Sequence, residues 1–462
     1  MNEENEKRVL AALYDRLYQA VTHTPSGMSA AFDRATTLVQ FSKNEPLNPD
    51  DFDNAATPAN PNGDLNTAES FSRMVDVVPA VQAEFAPGSS TLSSTYRGIV
   101  DGANSAVTTD PQQQEIYEQA HRFLNESTTI KDFRGDEITA YRNSAIYQAY
   151  LDNQVAYTAA VSAYRTAYLG YDLSKIDEQR KWQANEPPLG NAVRQAYSTW
   201  RAQGAAEVEE ALAAIDTSIN SAIRNVLEDA RQAVAPQSGM APSLAGGEPW
   251  YMACALPTNW YEESAVVNFS TLTLSSAYLD AEAHSNYTAY GGGASWSAGL
   301  WSVGGSVSGS SGSSNFHMDA SSITLTARLG VVRILRPWLR GAIFRMGSWF
   351  MDSQGKHGIS NGKLEGNAMS LLPLIPTAFV VARDIEIAAD FSSEDRRHVE
   401  SAISTSVRVG WGPFSVSARY SHSRSDDYFH STFDGGALKV PGIQIVAWIS
   451  EIVPASPPED PK

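Results

Sequence analysis

At 462 residues the chain is long enough for about three domains' worth of core, and its one cysteine, Cys254, excludes an internal disulfide framework and a Cys-rich zinc site. A net charge of −18, from 34 Lys and Arg against 52 Asp and Glu, argues against a nucleic-acid partner, because phosphate binding relies on clustered Lys and Arg. The acidity lies in the first half: residues 1–249 hold 19 Lys and Arg against 33 Asp and Glu, or −14, which leaves −4 for the remainder.

The opening MNEENEKRVLAALYDRLYQAV lacks the basic start, apolar core and cleavage site of a secretory signal. No apolar run approaches the roughly 18 residues of a membrane-spanning helix, so the expectation is a chain made soluble, cytoplasmic by default. Val9, Leu10, Leu13, Tyr14, Leu17, Tyr18 and Val21 follow helical spacing, which predicts an amphipathic helix over residues 5–22. A second helical pattern runs from Met28 to Phe41, followed by the loop NEPLNPDDFDNAATPANPNGD, whose Pro, Asn and Asp hold neither period. Further helices are expected over Ala68–Phe85, Ser90–Ala103 and Pro111–Asn125, the last with Asp110 as N-cap and Pro111 in the first helical position.

From about Asp136 to Tyr171 the tyrosines Tyr150, Tyr157, Tyr164 and Tyr171 recur every seven residues, an aromatic seam on a helix. From Ala205 to Val234, Leu212, Ile219 and Val226 repeat in the same way and offer a partner seam, while Pro187–Pro188 interrupt the pattern between them. An antiparallel helical hairpin of these two segments is the expected assembly.

Residues 236–249, rich in Pro, Gly, Ser and Ala, read as a linker. Beyond them the period changes to two: VVNFSTLTLSSAYLDAEA, SSITLTARLGVVRIL, TAFVVARDIEIAADF, STSVRVG and FSVSARYSHS alternate apolar and small polar residues. Part of this region is written twice. Gly299–His317 aligns without a gap to Gly412–His430, sharing Gly299/Gly412, Ser302/Ser415, Val303/Val416, Ser308/Ser421, Ser310/Ser423, Phe316/Phe429 and His317/His430, with Trp301 facing Phe414. The copies then run into VVRILRPWL and IQIVAWIS, in which Trp338 and Trp448 correspond. The expected fold is therefore α+β in two parts: an acidic α-helical domain over 1–235, the linker, a duplicated antiparallel β domain over 250–453 resembling a sandwich, and a disordered tail over 454–462.

Three features of the β region bear on function. Between Asp319 and Asp352 lie Arg328, Arg333, Arg336, Arg340 and Arg345 with no acidic residue among them. Interleaved with Trp338 and Trp349, the residues Arg333, Arg336 and Arg340 suit an anionic ligand, an anionic lipid surface or an acidic protein partner. The Ser/Gly stretch around Trp296, Trp301, Val303 and Val307 resembles, in composition, the membrane-inserting hairpins of β-pore-forming toxins. Soluble strands enter a bilayer only by closing a barrel, hence as an oligomer. Against this, Arg419, Arg424, Asp426 and Asp427 replace small residues in the second copy. The third feature, the repeated His317 and His430, matches no metal-ligand spacing.

GISNG at Gly358–Gly362 satisfies the serine-hydrolase expression GxSxG, but polar loop surrounds it where a strand and a helix are required. No catalytic residue, metal or cofactor is assigned, and the sequons at Asn125, Asn268 and Asn286 matter only for a protein secreted by a eukaryote. The sequence reading is a non-enzymatic binding or self-assembly protein, a candidate homo-oligomer, that uses the Arg/Trp segment as its contact surface. Its alternative is a pore-forming protein that inserts the Ser/Gly hairpin from one or both copies.

Overall fold

In the computed structural model, the described residues are 3–22, 36–57, 60, 62–105, 111–131, 137–171, 175–218, 223–236, 240–241, 243, 247–262, 269–275, 300–303, 323–404, 409–419, 428–434 and 436–461. In chain order the first half gives α1 (Glu3–Thr22), β1 (Thr37–Leu47), α2 (Leu65–Val75), α3 (Leu92–Gly102), β2 (Ala103–Ser105), α4 (Pro111–Leu124), the hairpin β3 (Asn125–Lys131) and β4 (Glu137–Asn143), α5 (Ala145–Leu169), α6 (Ile176–Trp200), α7 (Ala206–Ser218) and α8 (Ile223–Val234). The second half gives β5 (Met240–Ala241), β6 (Trp250–Tyr251), β7 (Cys254–Leu256), β8 (Ser270–Ser275), β9 (Trp301–Val303), β10 (Thr324–Leu335), β11 (Trp349–Met351) and β12 (Leu374–Ala388). It continues with α9 (Ser393–Ser404), β13 (Val409–Trp411), β14 (Phe414–Arg419), β15 (Tyr428–His430), β16 (Thr432–Asp434) and β17 (Ala437–Ile452). The fold mixes helix with antiparallel sheet.

A seven-stranded sheet organises the chain, in the order β1-β17-β12-β10-β7, with β16 also on β17 and β8 also on β10. Three long strands form its middle and shorter ones share the edges. Alternation assigns its faces. Leu325, Ala327 and Leu329 of β10, Ala378, Val380 and Ala382 of β12, and Leu438 and Val440 of β17 line one core. Val332, Ile334, Phe379, Val381, Ile443, Ile445 and Trp448 line the other, against Phe52, Phe71, Met74 and Trp260. That second cover stops halfway, so Thr324, Arg328, Asp384, Glu386 and Lys439 are exposed.

The sheet does not respect the expected boundary. β1 lies at its edge, paired to β17 from Thr37↔Glu451 to Leu47↔Ile443. Thr37–Phe41, expected to be helical, is therefore strand, because Leu38, Val39 and Phe41 gain a sheet to pack on and tertiary contact overrides local period. Gln40 closes the outer side of β1 by donating Nε2 to the carbonyls of Ala80 and Gln82. α1 packs on the first core face, and every residue from Val9 to Tyr18 except Ala11 is buried, Asp15 and Arg16 included. Tyr14 donates its hydroxyl to the Val39 carbonyl at 2.6 Å, and Arg16 Nη2 donates to Thr273 O of β8 at 3.3 Å. The N-terminal part thus supplies both a strand and a central helix to the β part.

The tyrosine seam is real, but its partner is not the expected one. Residues 137–143 are strand, Ser144 caps α5 with its side chain accepting from Tyr147 N, and α5 pairs with α6. Tyr157 stacks on Trp200 at 5.5 Å, and Tyr164, Tyr168 and Tyr171 surround Trp182 at 5.4, 5.4 and 5.7 Å. α6 runs through Pro187 and Pro188 at the expense of two backbone donors. Aromatic interdigitation, not the aliphatic heptad of 205–234, selects the partner. That heptad packs elsewhere: Val208 and Ala211 of α7 against Leu124 and Tyr150, and Val226, Leu227 and Ala230 of α8 with Tyr96 and Ile99 of α3.

Candidate functional site

The strands β8, β10, β12 and β17 stand side by side, and four of their ends fall on one row. Thr324 pairs with Ser275 on one side and with Ala388 on the other, and Ala388 pairs with Ala437. Two connections leave and rejoin the sheet at this row, residues 276–323 and 389–436, of 48 residues each. Departures 275 and 388, and returns 324 and 437, are both 113 residues apart, the offset that relates Gly299 to Gly412. The same offset superposes Leu272 and Leu274 of β8 on Ile385 and Ile387 of β12, all four in the first core.

Where the two inserts are described, they make a second sheet in the order β15-β14-β13-β9, so β9 of the first insert joins β13 of the second. Its register matches that of the large sheet except at Val409, which pairs with Ser417 rather than Val416. Counting 22 residues back from Thr324 and 22 forward from Ala388 reaches Ser302 and Gly410, which are paired. Counting 23 forward from Ala388 and 23 back from Ala437 reaches Trp411 and Phe414, also paired. The turn between them is Gly412-Pro413, with Gly412 at φ +55°, as a primed two-residue hairpin turn demands.

This second sheet lies against β1 and β17, and its Gly412 turn reaches α1. Leu300, Trp301, Val409, Trp411, Phe414 and Val416 join Leu10, Leu13 and Leu17 in one buried cluster. A Cβ on Gly412 would stand 3.4 Å from Leu13 Cδ2. Gln444, fully buried on β17, clips the sheet down: Ser415 N donates to Gln444 Oε1 at 2.6 Å, and Gln444 Nε2 donates to Ser415 O at 3.4 Å. At the root of the second insert is an open groove of ≈ 670 Å³ lined by Glu386, Asp390, Arg396, Asp434 and Lys439 among others. There Lys439 pairs with Asp434 at 2.6 Å, and Arg396 lies 5.7 Å over the Phe433 ring.

The residues singled out from the sequence fall differently. Trp338 and Trp349 are 4% and 0% exposed, inside the cluster of Tyr96, Tyr251 and Phe344. Arg336 is spent internally, its guanidinium donating to the carbonyls of Pro376 and Val75, and burial pushes its pKa down to about 10. Arg333 is half-buried, with its pKa lowered by desolvation. Of the run, Arg328, Arg340 and Arg345 are exposed, but among the five residues Arg333, Arg336, Arg340, Trp338 and Trp349 Arg340 alone is, so these five do not form one exposed Arg/Trp face. The tryptophans became core because the turn after β10 folds under α3 and α8, a contact that no local pattern announces.

Of the hairpin residues, Trp296 and Val307 lie outside the described residues, as does His317. Trp301 is 2% exposed, and Val303 pairs with Val409 in β9. Trp338 and Trp448 are not equivalent in place: Trp448 sits within β17, stacked on Phe85 at 4.5 Å, whereas Trp338 follows the end of β10. Ser360 of GISNG is fully buried, donating to Val453 O and accepting from Gly362 N and Asn367 Nδ2, so it ties a turn together. Cys254 is buried and burial raises its pKa to about 11, which keeps it a thiol. Sequence reasoning missed Gln444, whose only signal is an amide in the otherwise apolar run IQIVAWIS. It also missed the place of α1, whose breadth of apolar positions, with Val9, Leu10, Leu13, Tyr14 and Leu17 more than one face wide, was the available hint.

Comparison with protein families, with curated proteins and with solved structures finds no match to this chain.

Proposed function

We propose that the chain holds two copies of one unit, β8–insert–β10 and β12–insert–β17, and that it is a membrane-inserting, pore-forming protein that keeps both inserts folded back on α1. At an anionic lipid surface the inserts swing out and lengthen the large sheet into two neighbouring β hairpins, and several copies of the chain close them into a barrel. The observation that carries this reading is the shared register. Five of the six pairs that join the tip strands β9, β13 and β14 are those expected if β10, β12 and β17 ran straight on into them, and the sixth, Val409↔Ser417, is one residue off at a local shift. Extension therefore needs the shift at Val409 ironed out but no slip of a whole strand, which would turn every side chain to the wrong face.

Reach and composition support it. Half of a 48-residue insert, about 24 residues, would extend about 80 Å at 3.3 Å per residue, well beyond the roughly 9–11 residues a strand needs to cross a bilayer. The first insert has no Asp, Glu, Lys or Arg between Glu282 and Asp319, a stretch centred on its tip, and we assign it the crossing of the hydrocarbon. α9 contains a period of two as well as its helix: Val399, Ser401 and Ile403 alternate with His398, Glu400 and Ala402, a pattern compatible with either state. The helices α4–α8 would hold or oligomerise the assembly. The role is non-enzymatic and uses no cofactor.

Binding or self-assembly without insertion is the second reading, favoured by Arg340 and Arg345, which are exposed and make no ion pair among the described residues. Dye release from liposomes of mixed anionic and neutral lipid, with light scattering of the protein alone, separates the two. Release at protein-to-lipid ratios where serum albumin gives none is the expected result. A defined oligomer in solution with no release favours assembly and removes the pore.

A further inference from the structure

The Pro/Asn/Asp-rich loop after β1 is not used by the insertion reading, yet it lines a pocket. Its residues Asn54, Ala55, Ala56, Thr57 and Asn60 face the 253–262 turn across a space of ≈ 260 Å³, on the side of the large sheet away from α1. We propose that this pocket binds a single neutral sugar ring, such as the terminal residue of a glycan.

The size admits one ring, being below the roughly 300–1,000 Å³ of sites for drug-sized ligands. The floor is apolar: Phe52, Phe71 and the methyl groups of Ala55, Ala56, Ala253 and Ala255. The rim is neutral and polar. Asn259 and Thr258 line it with side chains that make no hydrogen bond among the described residues, which leaves an amide and a hydroxyl free to donate and accept. Adjacent hydroxyls of a pyranose ring need this mixture of donors and acceptors over an apolar face.

The rim is also held in place. Asn60 Nδ2 donates to Asn54 Oδ1 at 3.0 Å and to Ala55 O at 3.3 Å, and Asn54, at φ +53°, donates its N–H to the Tyr261 hydroxyl at 3.4 Å. Tyr261 in turn donates to Asp53 at 3.3 Å. A backbone strained at Asn54 and tied across to Tyr261 is a pre-organised wall rather than a loose surface wrap.

Charge narrows the class. The lining holds no Lys, Arg or His and one carboxylate, Glu262, so phosphates and carboxylates are repelled. A quaternary ammonium would need open aromatic faces, but the Trp260 ring is already packed by Phe52 at 5.0 Å, Phe379 at 5.3 Å and Tyr261 at 5.9 Å. A neutral polyol remains.

The test uses the full chain without lipid, so its outcome is independent of insertion. Saturation-transfer NMR is recorded with glucose, galactose, mannose, N-acetylglucosamine and N-acetylgalactosamine in turn, and with choline chloride and inorganic phosphate. At least one sugar is expected to show saturable transfer in the millimolar range, weakened about tenfold or more by Asn259→Leu with unchanged thermal unfolding. Thr258→Val, at an exposed position, serves if Asn259→Leu fails to fold. No transfer from any sugar, transfer unaffected by either variant, or saturable binding of choline or phosphate alone overturns the proposal.

Discussion

In a Cys254→Ala background, joining Ser415→Cys to Gln444→Cys with a short reducible cross-link is expected to abolish dye release, and reduction is expected to restore it. The two positions are chosen because the Gln444 amide already bridges to the Ser415 backbone, one on the large sheet and the other on the folded-back one. A covalent tie of this kind is worth about 2–4 kcal/mol, which lowers the population of a swung-out state roughly 30-fold or more. A second disulfide, Ser302→Cys/Gly410→Cys, makes the opposite prediction. These residues are paired across β9 and β13, and under the proposed extension, which keeps that register, they would remain paired. Oxidation there should leave release intact. Any account in which the two inserts separate on insertion predicts that both bonds block it.

Trp411→Ala carries the second large effect. Trp411 is fully buried, stacked on Phe414 with centroids at 6.2 Å and paired in register to Trp301. Truncating such a side chain costs about 3–5 kcal/mol. If the second sheet can leave α1 while the large sheet stays folded, that cost falls on a local opening rather than on the whole molecule. Release should then accelerate, while amide hydrogens of β10, β12 and β17 keep their protection. Trp411→Phe, which retains an aromatic ring, should lie between the variant and the parent. Faster exchange across the large sheet, or slower release in the Ala variant, would show that the second sheet and the body unfold as one unit.

Parts of this architecture are legible in the sequence for local reasons. The helix at 5–22 declares itself by period, α4 by a proline at its first position, and β10 and β12 by alternation. The proposed duplication rests on sequence matches such as Phe316/Phe429, but what the matched stretches build is not legible there. The equal insert lengths have meaning only once Ser275, Thr324, Ala388 and Ala437 are known to share a row, and that is a fact of pairing between distant segments. The misreadings have the same origin. Thr37–Phe41 looks helical until β17 offers it an edge. The arginines between Asp319 and Asp352 look like a surface until the chain folds Trp338 and Trp349 inward, and Arg336 then spends its donors on Pro376 and Val75. The aliphatic heptad of 205–234 looked like a partner for the tyrosines because period alone cannot weigh Trp182 and Trp200 against it.

The central claim is that the inserts lengthen the sheet in the register it already has. Continuing the pairing of Ala388 with Ala437 outward by 12 residues sets Glu400 opposite Ser425. In the structure Glu400 is an exposed residue of α9. In a Cys254→Ala background, Glu400→Cys/Ser425→Cys is therefore the most direct measurement, scored by disulfide formation under mild oxidation with and without liposomes. The account predicts rapid closure only on liposomes, with the out-of-register pair 400/423 lagging well behind. Equal closure with and without lipid, or dye release in which 400/425 closes no faster than 400/423, would contradict it.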